Sequence, residues 1–250
     1  MPFNQGLLSE IITSLPPCER LLVAYSGGMD SHVLLHALWG LRQELKAVIH
    51  AVHVNHGLQA EAAVWAEKCS QYCSSHQIPI TVIEVDASTG KGESPEAAAR
   101  NSRYRALGEL MQQGDMLLTA HHSQDQAETV LLQLLRGSGP SGLAAMPMIS
   151  GFGPGLHARP LLEFSREELA DYAQHNRLQW LEDFSNRDTS FDRNFLRHEV
   201  IPLLKQRWPS MERTISRSAS HCAEAQQANL DRIQRNYPPE IVECPRSLLN

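Results

Sequence analysis

Residues 21–31 constrain the fold more than any other stretch of the chain. A short apolar run, Leu21 to Tyr25, passes directly into Ser26-Gly27-Gly28-Met29-Asp30-Ser31, and a helical pattern carrying Val33, Leu34, Leu35 and Leu38 begins at once. A strand that turns over two adjacent glycines into a helix is the opening unit of a parallel α/β sheet. Such a turn also suits an anion: the glycines let the backbone approach it, while free N–H groups and the positive end of the helix dipole attract it. Ser26 and Ser31 add hydroxyl donors. Asp30 is the odd member, because a carboxylate beside a phosphate repels it unless a divalent cation lies between them, so the loop implies magnesium. The same spacing fits an ordinary strand-to-helix turn with Asp30 in the favourable first turn. No lysine follows the glycines as in a Walker loop, and the G-x-G-x-x-G fingerprint does not occur here.

The rest of the first half repeats the alternation. Val48 to Val54, Ile80 to Val85 and Met116 to Thr119 read as further strands, all four buried on both faces, with helical patterns at 30–42, 60–76, 94–112 and 124–136. The fold class is therefore α/β, a parallel twisted sheet with helices on both faces. The Gly, Pro and Ser content of 137–155 marks a loop or a change of subdomain, so an α/β domain over 1–150 is expected. Residues 151–210 read as a small helical annex, with helices at 165–177 and 189–208. The first of these opens on the capping-box pair Ser165 and Glu168. Residues 211–250 read as a linker or the start of a further domain. With 250 residues, 42% of them hydrophobic, the chain can bury one substantial core. A net charge of −6 excludes nucleic-acid binding by bulk positive field, so any polynucleotide contact must be local. Neither a secretory signal nor an apolar run of membrane-spanning length is visible, which points to the cytoplasm and away from membranes. The five cysteines, Cys18, Cys69, Cys73, Cys222 and Cys244, are irregularly spaced and read as thiols.

Several further groups stand at spacings that could carry chemistry. Asp125 and Glu128, three apart near a helix start, place two carboxylates on one face, where the loop after the fourth strand can meet the loop carrying Asp30. The same acids suit a helix N-terminus, with Ser123 and Gln126 as a capping box. Arg100, Arg103 and Arg105 share one helix, with Tyr104 one turn from Arg100, an arrangement that could take a phosphate or a base, or form a solvated face paired with Glu93 and Glu96. Arg193, Asn194 and Arg197 fall along one stripe that ordinary surface charge also explains. His53 and His56 flank the end of the second strand, where adenine is held in sheets of this type, and either is equally at home as a satisfied loop histidine. Cys69, Cys73 and His76 lack a fourth ligand and read as packing residues, not a zinc site.

Ser26 to Ser31 resembles the S-G-G-x-D-S signature of PP-loop ATP pyrophosphatases, which cleave ATP between its α and β phosphates. Further segments resemble the tRNA(Ile)-lysidine synthase branch of that family: His53-Val54-Asn55-His56-Gly57-Leu58, Glu96-Ala97-x-Ala99-Arg100-x-x-Arg103-Tyr104, His121-His122-x-x-Asp125-Gln126-x-Glu128-Thr129, Arg136-Gly137-Ser138-Gly139, Arg159-Pro160-Leu161-Leu162 and Asp192-Arg193-Asn194-x-Leu196-Arg197. The resemblance implies ATP held at Ser26, Gly27, Gly28, Met29, Asp30, Ser31 and His53, and magnesium at Asp30 and Asp125. It implies catalytic roles for Asp30, Asp125, Glu128 and Arg100, and substrate or tRNA contact at Arg103, Arg193 and Arg197. The partners it implies are the isoleucine tRNA with a CAU anticodon and free L-lysine, whose amine must lose a proton before it attacks. Two alternatives stand beside this one. A PP-loop tRNA thiolase would need a reactive cysteine pair, and a non-catalytic ATP-binding module would have no use for three acids around the α phosphate.

Overall fold

The computed structural model describes residues 2–55, 62–85, 95–182 and 188–236. His56, Gly57 and Leu58 of the second-strand motif, Glu93, the Glu96 side chain, Cys244 and the part 237–250 of the expected final segment 211–250 lie outside the described residues.

Four strands arise where apolar runs are bounded by turn residues: β1 (Arg20–Ala24), β2 (Val48–Asn55), β3 (Ile80–Glu84) and β4 (Asp115–Leu118). Two more, β5 (Ile149–Phe152) and β6 (Gly155–Ala158), complete a six-stranded sheet in the order β3-β2-β1-β4-β6-β5. All neighbours are parallel except β5 and β6, which form an antiparallel hairpin at the edge. Period-two alternation separates the two faces of the sheet. Leu21, Val23, Ile49, Ala51, Met116 and Leu118 enter the larger core, together with side chains of α1 (Gln5–Ser14), α2 (Met29–Gly40), α3 (Ala62–Ser75) and α7 (Arg166–His175). Leu22, Val52 and Leu117 face the other way, against Leu107 of α4 (Pro95–Leu110) and the adjacent Met111. Helices thus cover both faces of a mostly parallel sheet, and a helical region follows it.

Two sequence readings change. β3 is not buried on both faces: it is the sheet edge, and Val82 there is 38% exposed. The Gly- and Pro-rich stretch 137–155 is more than a loop, for it contains α6 (Pro140–Leu143), β5 and the start of β6. Its glycines hide the strands from pattern reading, yet Gly155 is needed in one of them, since a Cβ there would collide with the backbone carbonyl of Asp115 on β4.

The described residues form two compact units, Met1–Asp125 with Met148–Asp188, and Gln126–Pro147 with Thr189–Asn250. The first holds the sheet. At the foot of that sheet, Arg20 grips Asp115 through Nε at 2.8 Å, and Asp115 also accepts the Gln112 N–H at 2.7 Å. Ser165 and Glu168 form the expected capping box on α7.

The second unit is helical: most of α5 (Ser123–Leu135), α6, α8 (Asp192–Phe195), α9 (Ile201–Arg207) and α10 (Met211–Asn236). Between α8 and α9 the turn widens to a π-helix over Leu196–Val200. Pro202 accounts for the widening, because it has no N–H to give and its ring excludes the carbonyl four residues back. Gln126 bonds the backbone of Met146 in both directions, Nε2 to the carbonyl at 2.9 Å and Oε1 from the N–H at 3.1 Å. No helix among the described residues is long and apolar enough to cross a membrane.

Candidate functional site

The chain runs β1, β2, β3 to one side of the sheet and then returns to place β4 on the other side of β1. Loops after two strands that diverge in this way leave a crevice at their carboxyl ends, the usual ligand position in an open α/β sheet. The loop after β1 is Tyr25 to Gly28, and the loop after β4 is Thr119 to His122.

Gly27 sits at φ +84°, a conformation that favours glycine. A Cβ there would lie 2.8 Å from Cys69 Sγ and 3.0 Å from Leu181 Cδ1, while the Gly27 carbonyl accepts the Leu181 N–H at 3.0 Å. The fold itself therefore demands this glycine. Gly28 is different: a Cβ would meet only Ser26 Oγ, at an ordinary 3.5 Å. The hydroxyls hold the loop in shape. Ser31 donates to the Gly28 carbonyl at 2.9 Å, Ser26 and Ser31 share a bond at 3.0 Å, and the Gly28 N–H reaches Ser26 Oγ at 3.3 Å. α2 starts at Met29 with no side chain capping its N-terminus, so its first-turn N–H groups point out of the loop. Behind the loop, Tyr25 bonds His32 Nδ1 at 2.8 Å, and burial pushes His32 down to about 4 and both Cys69 and Cys73 up to about 12. The two thiols are packing groups, as their spacing suggests.

Asp30 and Asp125 meet at one side chain. His122 Nε2 lies 3.7 Å from Asp30 Oδ2 and 3.4 Å from Asp125 Oδ2, and Asp125 also accepts the His122 backbone N–H at 3.1 Å. His122 is 2% exposed, and Asp30 Oδ1 is buried with no hydrogen-bond partner. An unpartnered buried carboxylate oxygen beside an anion cradle fits a divalent cation. No cluster of three or more His, Cys, Asp or Glu suited to a metal occurs among the described residues. An ion held by Asp30 and Asp125 would take its other ligands from water and phosphate, as magnesium does. Sequence reading assigned no role to His122, although it stands next to His121 in the quoted motif.

The remaining candidates line the same unit. His53, at the end of β2, is 5% exposed and bonds the Tyr25 carbonyl through Nδ1 at 2.9 Å, tying the ends of β1 and β2 together. Burial lowers its pKa against the pull of that carbonyl, and the Arg103 charge lowers it further. Arg100 stacks over the Tyr104 ring at 5.4 Å, so the pair share a face as their spacing predicts.

In the second unit, Glu128 is fully buried and its carboxylate closes on two arginines: Arg193 Nε donates to Oε2 at 2.7 Å, and Arg197 donates to Oε1 and Oε2 at 2.7 and 2.8 Å. The stripe read from Arg193 and Arg197 is thus a pair of guanidinium groups held by one acid. Asp125 and Glu128 share α5 but serve different partners, and Arg136 lies 3.9 Å from Asp192.

A family model described as a PP-loop domain matches residues 5–204. The chain belongs to the PP-loop family. Among curated PP-loop relatives, it is similar to the tRNA(Ile)-lysidine synthase of Serratia proteamaculans, at 49% identity over 98% of this chain and 56% of that protein. It is similar also to that of Coxiella burnetii, at 44% over 96% and 55%, and to that of Pectobacterium atrosepticum, at 48% over 90% and 51%. The chain spans about half the length of the curated relatives it matches. Among solved PP-loop structures, the U34-tRNA thiolase NcsA from Methanococcus maripaludis, with its 4Fe-4S cluster, superposes with a TM-score of 0.73 at 15% identity, covering 88% of this chain and 78% of that one. At that identity the likeness is one of fold.

Proposed function

We propose that this PP-loop protein ligates lysine to carbon 2 of the wobble cytidine in the isoleucine tRNA with a CAU anticodon. In the first step the cytidine 2-carbonyl oxygen attacks the α phosphorus of ATP, the α–β bond breaks and pyrophosphate leaves. In the second the ε-amine of lysine attacks carbon 2 and loses a proton, the carbon–oxygen bond breaks, and AMP departs with that oxygen. The observation that carries the reading is the placement of Asp30 and Asp125 on one histidine nitrogen beside the glycine loop, in a chain so similar to lysidine synthases.

Each residue has a part in this reading. The N–H groups at Gly27, Met29, Asp30 and Ser31 take up phosphate charge, and the openness around Gly28 leaves the backbone free to approach it. Asp30 and Asp125 would hold a magnesium ion, which would supply positive charge against the leaving pyrophosphate. His53 borders the adenine position, and Arg100 and Arg103 meet tRNA or nucleotide phosphate as donors in a fork. Asp125 is suited to receive the amine proton of lysine. Glu128, whose oxygens already accept from two guanidinium groups, holds Arg193 and Arg197 ready for substrate. A loop base in an anticodon can splay out to be reached, and the setting is cytoplasmic.

Sulfur transfer by the pair Cys69 and Cys73 behind the glycine loop is not favoured, because both are buried with thiols pushed up to about 12. The deciding experiment supplies magnesium, ATP, labelled L-lysine and unmodified isoleucine tRNA and follows pyrophosphate, AMP and tRNA-bound label separately. Ligation predicts pyrophosphate with tRNA, and AMP with label in tRNA only when lysine is present. AMP release that is indifferent to lysine and needs an added sulfur donor points to a thiolase, and ATP binding without pyrophosphate points to a sensor; either outcome rejects the proposal.

A further inference from the structure

A line of polar side chains crosses the first unit from β6 to the loop after β4. Arg159 Nη2 bonds His157 Nδ1 at 3.1 Å, His157 Nε2 bonds Thr119 Oγ1 at 2.8 Å, and Thr119 Oγ1 bonds His121 Nδ1 at 2.8 Å. Arg159, His157 and Thr119 are 9%, 2% and 7% exposed, so water does not compete for the first two bonds, and the third reaches the half-buried His121.

The chemistry of one end sets every proton along the line. A guanidinium has donors and no acceptor, so His157 Nδ1 must accept and carries no proton. Burial, together with the charges of Arg159 and Arg100, pushes His157 down to about 3, which makes the ring neutral near pH 7. Its single proton is therefore on Nε2 and is donated to the Thr119 oxygen. The hydroxyl then has one hydrogen left to place, and His121 Nδ1 is its other partner. A buried hydroxyl that failed to donate would forgo a bond worth about 1 kcal/mol. His121 Nδ1 accordingly accepts, and its proton belongs on Nε2. Tyr104 supports the origin of the line by hydrogen bonding to Arg159.

We propose that Arg159, His157 and Thr119 are positioning residues that fix the tautomer of His121, so that its Nε2 offers a proton donor to a phosphate oxygen of the bound nucleotide. His121 stands in the loop after β4, next to the His122 that meets Asp30 and Asp125, which places it at the carboxyl ends of β1 and β4. The role toward nucleotide rests on the ligation reading above. The tautomer does not, and it can be measured without turnover.

The experiment is nitrogen-15 NMR of the histidine rings in this chain, with His121 and His157 signals assigned by single substitutions. The wild type is expected to show His121 and His157 both neutral and protonated on Nε2. Arg159→Met and His157→Leu are expected to release His121 into a mixture of tautomers and to slow pyrophosphate release about tenfold or more. His157→Gln can accept from Arg159 through its oxygen and donate to Thr119 through its nitrogen, so it is expected to restore both the tautomer and the rate. A His121 protonated on Nδ1 in the wild type, or one unmoved in Arg159→Met and His157→Leu, overturns the relay whatever the enzyme's substrates prove to be. Should a substituted chain not fold, the wild-type spectrum alone decides.

Discussion

The Leu181 N–H donates to the Gly27 carbonyl at 3.0 Å, and the Leu181 side chain, with Cys69, fills the space a Cβ on Gly27 would need. The residues after α7 therefore help to set the shape of a loop more than 150 positions earlier in the chain. Gly27→Ala is expected to lose about 1–3 kcal/mol of stability through backbone strain, and ATP affinity with it. Adding Cys69→Ala removes the clash with sulfur but not the positive φ, so the double substitution should recover part of the loss. Urea unfolding and calorimetric ATP titration of both chains check this, and full recovery in the double variant would show that φ is not the constraint.

Glu128 is buried beneath two arginines whose side chains are 20% and 23% exposed. Glu128→Gln strips the charge that both guanidinium groups face, and the expected loss of stability is on the order of 3 kcal/mol. Arg197→Lys gives up the fork of two bonds but keeps a cation, and should lose less. Hydrogen exchange of 189–207 reads the effect locally; equal protection in wild type and Glu128→Gln would remove the pair from the stability of that unit.

Stability should fall with acid in two stages. His32 and His157 are pushed down to about 4 and about 3 by burial, below the ordinary 6.5. The unfolded chain therefore binds protons that the folded chain refuses once pH drops below about 6.5. Stability is full above that value and declines until about pH 4 for His32 and about pH 3 for His157, with a slope of up to about 1.4 kcal/mol per pH unit for each histidine. Asp115 acts lower: burial would raise its carboxyl, but Arg20 and the Gln112 N–H override that and hold it below the usual range. Its contribution is present above about 3.8 and is lost as pH falls further. Urea midpoints from pH 7.5 to 3 should show the upper stage flatten in a His32→Gln, His157→Gln chain, and an unaltered slope there would contradict the assignment.

Much of this was readable along the chain because it is local. The apolar runs of β1, β2 and β4, the glycine turn, the Ser165 cap and the Arg100 and Tyr104 pair all depend on residues within a few positions of each other. The rest depends on contacts that no spacing encodes. β5 and β6 were hidden because Gly155 is chosen for its closeness to Asp115, forty residues away in sequence. The role of His122 emerges only where Asp30 and Asp125 converge on it, and the spacing of Arg193 and Arg197, which suits surface charge or substrate contact equally, does not reveal Glu128 beneath them, more than sixty positions earlier. The line from Arg159 to His121 joins two strands and carries no sequence signature.

Single-turnover pyrophosphate release by Asp30→Asn tests the central claim most directly, because the substitution preserves shape and removes the charge that would hold magnesium beside the glycine cradle. The prediction is a chain with wild-type urea midpoint and retained nucleotide binding that releases pyrophosphate about a hundredfold or more slowly. Release at the wild-type rate would contradict the account.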